Sequence, residues 1–123
     1  MLDKQLTPHF KLSEFACHCG CGASNINMDL VTKVEQLRVA LNRPITITSG
    51  VRCQKYNDTL KDSVSDSAHV KGLAVDIGVS SGGDRFEIVT QMLKLGFSRF
   101  GVANGFIHVD MDTSKPQSVI WKY

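Results

Sequence analysis

His69-Val70-Lys71-Gly72-Leu73-Ala74-Val75-Asp76 joins a polar loop to an apolar segment, and it is the most informative part of this sequence. Residues 73–79 are predicted to form a strand, because their apolar side chains alternate along the chain. One face of that strand carries Leu73, Val75, Ile77 and Val79. Asp76 falls on the opposite face, where a carboxylate in mid-strand is disfavoured by β propensity and by desolvation. It therefore needs a partner, and a metal ion is one such partner.

Residues 106–111 repeat this pattern, with apolar side chains on one face and His108 and Asp110 on the other. If the two strands are neighbours, Asp76 and His108 converge, and His69 reaches them from the loop. Two imidazoles and one carboxylate leave a fourth tetrahedral position for water, as in a catalytic zinc site. We therefore predict a Zn²⁺ site formed by these residues. From spacing alone, a core histidine and an Asp paired with an Arg stay open as alternatives.

Helices are predicted from apolar residues that recur every three or four positions. One covers residues 28–41 with Asn27 as its N-cap, and a short one covers residues 54–60. A third begins at Asp84, with Glu87 completing a capping box, and stops near Gly96. The buried face predicted for this third helix comprises Phe86, Val89, Met92 and Leu93.

Further strands are predicted over residues 45–48 and 99–103. Residues 99–103 and 106–111 form a hairpin through Asn104-Gly105, a strong turn signal. Residues 61–67 are predicted to form a loop. Residues 1–25 and 113–123 are expected to be irregular, the first anchored by Phe10, Leu12 and Phe15 and the second packing back through Trp121 and Tyr123. We expect an α+β fold with a small, mainly antiparallel sheet packed with two to three helices.

Length and composition are typical of one soluble globular domain covering residues 1–123, with 42% hydrophobic and 21% charged residues. A net charge of +2 without a dense basic cluster argues against nucleic-acid binding. The sequence has no apolar run long enough for a membrane span and no recognisable signal peptide. We therefore expect a monomer that is synthesised in the cytoplasm and does not insert into membranes.

A family resemblance follows from these residues. Ser67–Asp76 resembles the Ser-x-His-x-x-Gly-x-Ala-x-Asp motif of the M15 peptidases, and His108 resembles the late histidine of that family. Residues 48–52 with Asn57 resemble its Ser-Gly-x-Arg…Asn segment. Residues 9–15, the following Cys-x-Cys-Gly-Cys and the Trp-Lys-Tyr ending resemble a short, often phage-encoded branch. Members are zinc D-Ala-D-Ala carboxypeptidases and cell-wall endopeptidases that share a fold with the hedgehog signalling domain.

The resemblance implies a role for each matching residue. His69, Asp76 and His108 would bind Zn²⁺. Arg52 would act in the cleft by pairing with a carboxylate of the substrate, the alternative being a salt bridge to a nearby Asp. Ser67 would either hydrogen-bond the substrate or cap its loop.

The catalytic base is where this sequence departs from the family. Many members carry Glu, Asp or His two or three residues before the last zinc ligand, but Gly105 and Phe106 occupy those positions here. Asp110 is the nearest substitute, as a base, as a carboxylate that orients His108, or as a surface residue. Weaker candidates for the base are Glu14, Asp66 and Asp112.

The sequence has four cysteines, Cys17, Cys19, Cys21 and Cys53. Free thiols or one disulfide, such as one between Cys53 and the others, are expected. A structural zinc site is the less favoured alternative, because structural zinc motifs usually have two residues between cysteines, not one.

The expected function is zinc-dependent hydrolysis of peptide bonds in peptidoglycan stem peptides. The absence of a signal peptide fits release of the protein to the cell wall by a phage-type or prophage-type lysis system. The alternative is a catalytically inactive zinc-binding module of a cell-wall or phage structural protein.

Overall fold

The N-terminal arm is more ordered than the sequence suggests. The computed structural model describes residues 3–60 and 63–123, so the predicted loop over residues 61–67 lies partly outside the described residues. Strands β1 (Gln5–Thr7) and β2 (Phe10–Lys11) pair antiparallel, and a 3-10 helix (Leu12–Phe15) follows. The prediction of an irregular arm is therefore wrong for this part. Phe10 and Phe15 are buried with their ring centroids 5.8 Å apart, which confirms their predicted anchoring role.

The main sheet has five strands in the order β3-β4-β6-β5-β7. Their bounds are β3 (Ile47–Ser49), β4 (Ala74–Gly78), β5 (Arg99–Val102), β6 (Phe106–Asp110) and β7 (Val119–Lys122). Every neighbouring pair is antiparallel except β5 and β7, which are parallel. The prediction of a mainly antiparallel α+β fold is confirmed. The irregular tail predicted over residues 113–123 is wrong, because it contains the edge strand β7.

Three helices accompany the sheet: α1 (Met28–Leu41), α2 (Gln54–Asn57) and α3 (Gly82–Lys94). The limits of α1 are as predicted, and the Asn27 side chain accepts hydrogen bonds from the N–H groups of the first turn at 2.8 and 3.3 Å. α2 is three residues shorter than predicted.

The start and the buried face of α3 differ from the prediction. The helix begins two residues before Asp84, because Ser81 is its N-cap and accepts a hydrogen bond from the Asp84 N–H at 3.1 Å. Met92 is buried as expected, together with Ile88. Phe86 and Leu93 are instead 72% and 54% exposed, so the predicted buried face was rotated relative to the real one.

Strands β4 and β6 position the functional face of the sheet. Val75 and Ile77 on β4, with Ile107 and Val109 on β6, are completely buried in the hydrophobic core. Side chains alternate along a strand, so the intervening residues point to the other face. The register pairs Asp76 directly with His108, which confirms that the two predicted ligands are neighbours. In the described part of the chain, no helix is long and apolar enough to cross a bilayer.

Gly72 fixes the approach of the His69 loop to the strand. Its φ is +73°, and a Cβ added there would lie 2.3 Å from the carbonyl oxygen of Asn25. Because both the left-handed backbone and the backbone contact oppose a side chain, Gly72→Ala is expected to lower the free energy of unfolding by ~3 kcal/mol. Urea denaturation measures this change.

Gly82→Ala is the matched control, because no atom lies within 4 Å of a Cβ added at that position in α3. We expect this control to change stability by less than about 1 kcal/mol. Equal stabilities of the two variants would contradict the role given to Gly72.

Candidate metal centre

His69 is held by its loop in one ring orientation. Its Nδ1 lies 2.7 Å from the carbonyl oxygen of Gly50, to which it donates its proton. The Nε2 atom is then the unprotonated nitrogen of the neutral ring, and it lies 3.2 Å from Oδ1 of Asp76. The backbone N–H of His69 donates to Oγ of Ser67 at 3.2 Å. The loop therefore presents Nε2 as the nitrogen available to a metal.

His108 is oriented from the opposite side of the site. Its Nε2 donates to Oδ2 of Asp110 at 2.7 Å, which leaves Nδ1 as the unprotonated nitrogen. Nδ1 lies 3.0 Å from Oδ1 of Asp76 and 3.2 Å from Nε2 of His69. The other carboxylate oxygen of Asp110 accepts from Nε of Arg99 at 2.8 Å. A buried carboxylate and a buried guanidinium thus fix the second imidazole.

Three potential ligand atoms converge with spacings that fit zinc. His69, Asp76 and His108 are all at least 95% buried, and their ligand atoms lie 3.0–3.2 Å apart. Ligands at ~2.0–2.1 Å from a tetrahedral zinc are separated by ~3.3 Å, so the set already has nearly the required geometry. Each imidazole uses its N–H elsewhere, so three lone pairs face one another. A cation between them satisfies all three.

The electrostatics of the site also favour added positive charge. Burial raises the pKa of Asp76, but hydrogen bonding to His108 and His69 outweighs burial and holds the pKa well below its usual range. Burial lowers the pKa of His108, but Asp110 and Asp76 reverse this effect and raise the pKa above its ordinary value. Both directions indicate that the buried ligand set favours positive charge, which Zn²⁺ would supply when bound.

The three ligands lie in a cleft of about 930 Å³. Arg52 lines this cleft, with its Nη2 3.4 Å from Oδ2 of Asp76. Its Nε lies 3.2 Å from Oγ of Ser49 and its Nη1 3.3 Å from Oδ1 of Asn57, so the guanidinium is held in place. The salt bridge to a nearby Asp is therefore observed, whereas the pairing of Arg52 with a substrate carboxylate stays a prediction.

The remaining predicted site residues separate into distinct groups. Ser67 lines the cleft while capping its own loop. Asp110 has both carboxylate oxygens engaged, and its side chain is 1% exposed. Asp66 lines the cleft with a side chain that is 72% exposed. Glu14 instead accepts from the Lys11 N–H at the 3-10 helix, and Asp112 pairs with Lys71 at 2.8 Å.

Three contributors to the site were not identified from the sequence. They are the carbonyl of Gly50, the guanidinium of Arg99 and the ring of Trp121. The Trp121 ring lies 5.3 Å from the His108 ring and 5.0 Å from the Arg99 guanidinium carbon. These contacts join residues that are distant in sequence. The Arg-Phe-Gly-Val pattern of β5 gave no signal that Arg99 would be buried beside a carboxylate.

A buried pair of histidines and a carboxylate, open to a cleft, is a ligand arrangement found in the catalytic metal sites of hydrolases. Residues 8–110 match the family model described as Peptidase M15. The match covers most of the chain and includes all three candidate ligands, and the chain belongs to this family of metallopeptidases. Comparison with curated proteins gives no match.

Proposed function

We propose that this protein hydrolyses peptide bonds in peptidoglycan stem peptides, with Zn²⁺ held by His69, Asp76 and His108. The observation that carries the proposal is the convergence of three buried ligand atoms, 3.0–3.2 Å apart, at an open cleft. Family membership supports peptidase activity. The substrate class rests on the resemblance to cell-wall enzymes and on the cationic Arg52 in the cleft, which suits a peptide ending in a carboxylate.

The residues of the chain prepare the site in three ways. The Gly50 carbonyl and the Asp110 carboxylate fix the two imidazoles in the tautomers that present unprotonated nitrogens. The Arg52 guanidinium lies against Asp76, so a carboxylate bound to it is held close to the ligand atoms. The Trp121 ring covers one side of His108. When bound, zinc supplies Lewis acidity, which polarises a carbonyl and lowers the pKa of water.

Asp110 is assigned here as a positioning residue. Its Oδ2 binds Nε2 of His108, on the other side of the ring from the ligand nitrogen, and its Oδ1 binds Arg99. A base must lie within hydrogen-bond reach of the proton it takes. Asp66 is the other carboxylate outside the ligand set that lines the cleft in the described part of the chain. Its side chain is 72% exposed and lies 3.7 Å from Nζ of Lys115, so its role as proton acceptor is a prediction for mutagenesis to test.

The test is cleavage of purified stem peptides, followed by mass spectrometry, with zinc-loaded protein and with protein treated with a chelator. We expect new peptide fragments only in the zinc-loaded sample. If the peptides stay intact in both samples although the zinc-loaded protein has its metal bound, the alternative of an inactive zinc-binding module is favoured. Delivery to the cell wall after release, and action as a monomer, belong to the same proposal.

Arg52→Lys tests the recognition of a terminal carboxylate. We expect KM to rise by ~10-fold for a peptide that ends in a free carboxylate, because Lys cannot replace the planar, bidentate guanidinium. For the same peptide ending in an amide, the variant and the wild type should differ by less than about 3-fold, since there is no anion to bind. Steady-state kinetics on the two peptides measures both effects.

Arg43→Lys is the matched control, because Arg43 pairs with Asp84 on α3 and does not line the cleft. An equal loss on both peptides for Arg52→Lys would show that Arg52 supports the site without reading the carboxylate. That result would favour cleavage within the stem peptide over removal of its terminal residue.

A further inference from the structure

The four cysteines form a cluster outside the metal centre described above. Cys17, Cys19 and Cys21 lie on the loop that follows the 3-10 helix, and Cys53 is the N-cap of α2. All four sulfur atoms lie within 4.8 Å of one another. The fold therefore brings one cysteine from a distant part of the chain to the three that are close in sequence.

The sulfur spacings fit a metal better than a disulfide. Sγ of Cys19 lies 3.5 Å from Sγ of Cys17 and 3.6 Å from Sγ of Cys53. A disulfide requires ~2.05 Å, and all four cysteines are free in the structure. Sulfurs bound at ~2.3 Å to a tetrahedral zinc are separated by ~3.8 Å, close to the distances here.

One glycine separates Cys19 from Cys21, and a second follows Cys21. Gly20 and Gly22 both have φ of +84°, and a Cβ at either position would meet no atom within 4 Å. Glycine is therefore favoured at both positions by the left-handed backbone, since there is room for a larger side chain. These left-handed residues follow Cys19 and Cys21 directly, and they turn the loop so that its sulfurs converge.

Backbone N–H groups are directed at three of the sulfurs. The N–H of Cys53 donates to Cys17, that of Ala23 to Cys21 and that of Tyr56 to Cys53, each at 3.4 Å. Donors of this kind stabilise negative charge on sulfur and orient metal ligands from outside the coordination sphere.

We propose that Cys17, Cys19, Cys21 and Cys53 bind a second Zn²⁺ in a structural site. Coordination by four thiols releases four protons and leaves a zinc tetrathiolate with a net charge of −2. Because the protein supplies all four ligands, the site is closed to substrate and has no catalytic position. The proposal does not depend on the peptidase activity proposed above.

The site would brace the segment that supports the catalytic centre. Val51 N–H donates to the carbonyl of Phe15 at 2.7 Å, and Arg52 N–H donates to the carbonyl of His69 at 3.1 Å. Gly50 in the same segment orients the His69 ring. A metal joining Cys53 to the arm would therefore hold residues 50–53 in place next to the metal centre.

The first test is the zinc content of purified protein, prepared with a reducing agent and measured by elemental analysis. We expect about two zinc ions per chain in the wild type and about one in both Cys53→Ser and His69→Ala, because each variant loses a different site. Cobalt substitution separates the two sites, since only thiolate ligands give a sulfur-to-cobalt charge-transfer band. That band should persist in His69→Ala and disappear in Cys53→Ser.

A second test needs no variant, so it does not depend on the folding of Cys53→Ser. The wild-type thiols are titrated with a thiol reagent before and after addition of a chelator. We expect slow reaction that becomes fast only when the metal is removed. Immediate reaction of all four thiols without chelator would overturn the proposal. So would a protein mass that is lower than that of the reduced chain by two hydrogens for each disulfide. So would a single zinc that is lost in His69→Ala but kept in Cys53→Ser.

Discussion

Asp76→Ala is expected to abolish zinc binding at the histidine centre and to lower peptide hydrolysis by more than about 100-fold, since even loss of a residue that orients a ligand costs ~10–100-fold. Oδ1 of Asp76 is the shared neighbour of both ligand nitrogens, at 3.2 and 3.0 Å. Without this carboxylate, two imidazoles are left to hold the ion and no ligand carries a negative charge. Elemental analysis and stem-peptide cleavage measure the two effects.

Asp29→Ala is the control for this variant, because Asp29 is exposed in the first turn of α1 and takes no part in the cleft. It should keep wild-type zinc content and wild-type hydrolysis. The cobalt charge-transfer band of the cysteine cluster shows whether the rest of Asp76→Ala is intact. Undiminished hydrolysis by Asp76→Ala would remove the basis for the ligand assignment.

Asp110→Asn is expected to weaken zinc binding and to lower kcat by a similar factor of ~10–100. Asn still accepts the proton of His108 Nε2, but it carries no charge to raise the basicity of the ring or to pair with buried Arg99. Competition with a metal indicator measures zinc affinity, and kinetics at saturating zinc measures kcat. A positioning residue changes both quantities, whereas a base changes kcat alone.

Asp112→Asn provides the matched comparison. Asp112 is also buried and paired with a cation, Lys71, but no hydrogen bond joins it to a zinc ligand. It should lose stability without losing zinc affinity. If Asp110→Asn keeps wild-type zinc affinity while kcat collapses, Asp110 is the catalytic base and the positioning role is wrong.

Two of the three metal ligands, Asp76 and His108, were predictable because they lie on strands with clear alternation. In β4 and β6, apolar residues at every second position assign Asp76 and His108 to the face away from the core. The observed register then places these two residues opposite each other. Local pattern thus gives the face, and the motif that contains His69 gives the third ligand.

The errors in fold prediction arise where pairing or packing is set by distant parts of the chain. β7 pairs in parallel with β5, which precedes it by about twenty residues, and its Ile120 is 64% exposed. The short run Val119-Ile120-Trp121 does not by itself indicate this distant pairing. In α3, the exposed Phe86 and Leu93 lie about 100° or more around the helix from the buried Ile88 and Met92. Both sets are apolar, and the sequence alone does not say which set meets the core.

The cysteine cluster shows the limit of arguments based on spacing. Zinc motifs are usually recognised by the interval between ligands along one segment. Here Cys53 comes from another segment, and Gly20, which separates Cys19 from Cys21, takes a left-handed conformation that changes what a one-residue interval can do. Neither fact follows from the interval itself. The four cysteines are free in the structure, as one of the expected alternatives states, and the interval alone does not separate free thiols from a zinc site.

The most direct test of the account is a zinc titration of metal-free protein in which bound zinc and stem-peptide hydrolysis are measured on the same samples. Hydrolysis should be absent without metal. It should rise to saturation as one equivalent of zinc fills the site that is present in the wild type and lost in His69→Ala. Full hydrolysis by the metal-free protein, or by His69→Ala, would contradict the claim that His69, Asp76 and His108 form a catalytic zinc centre.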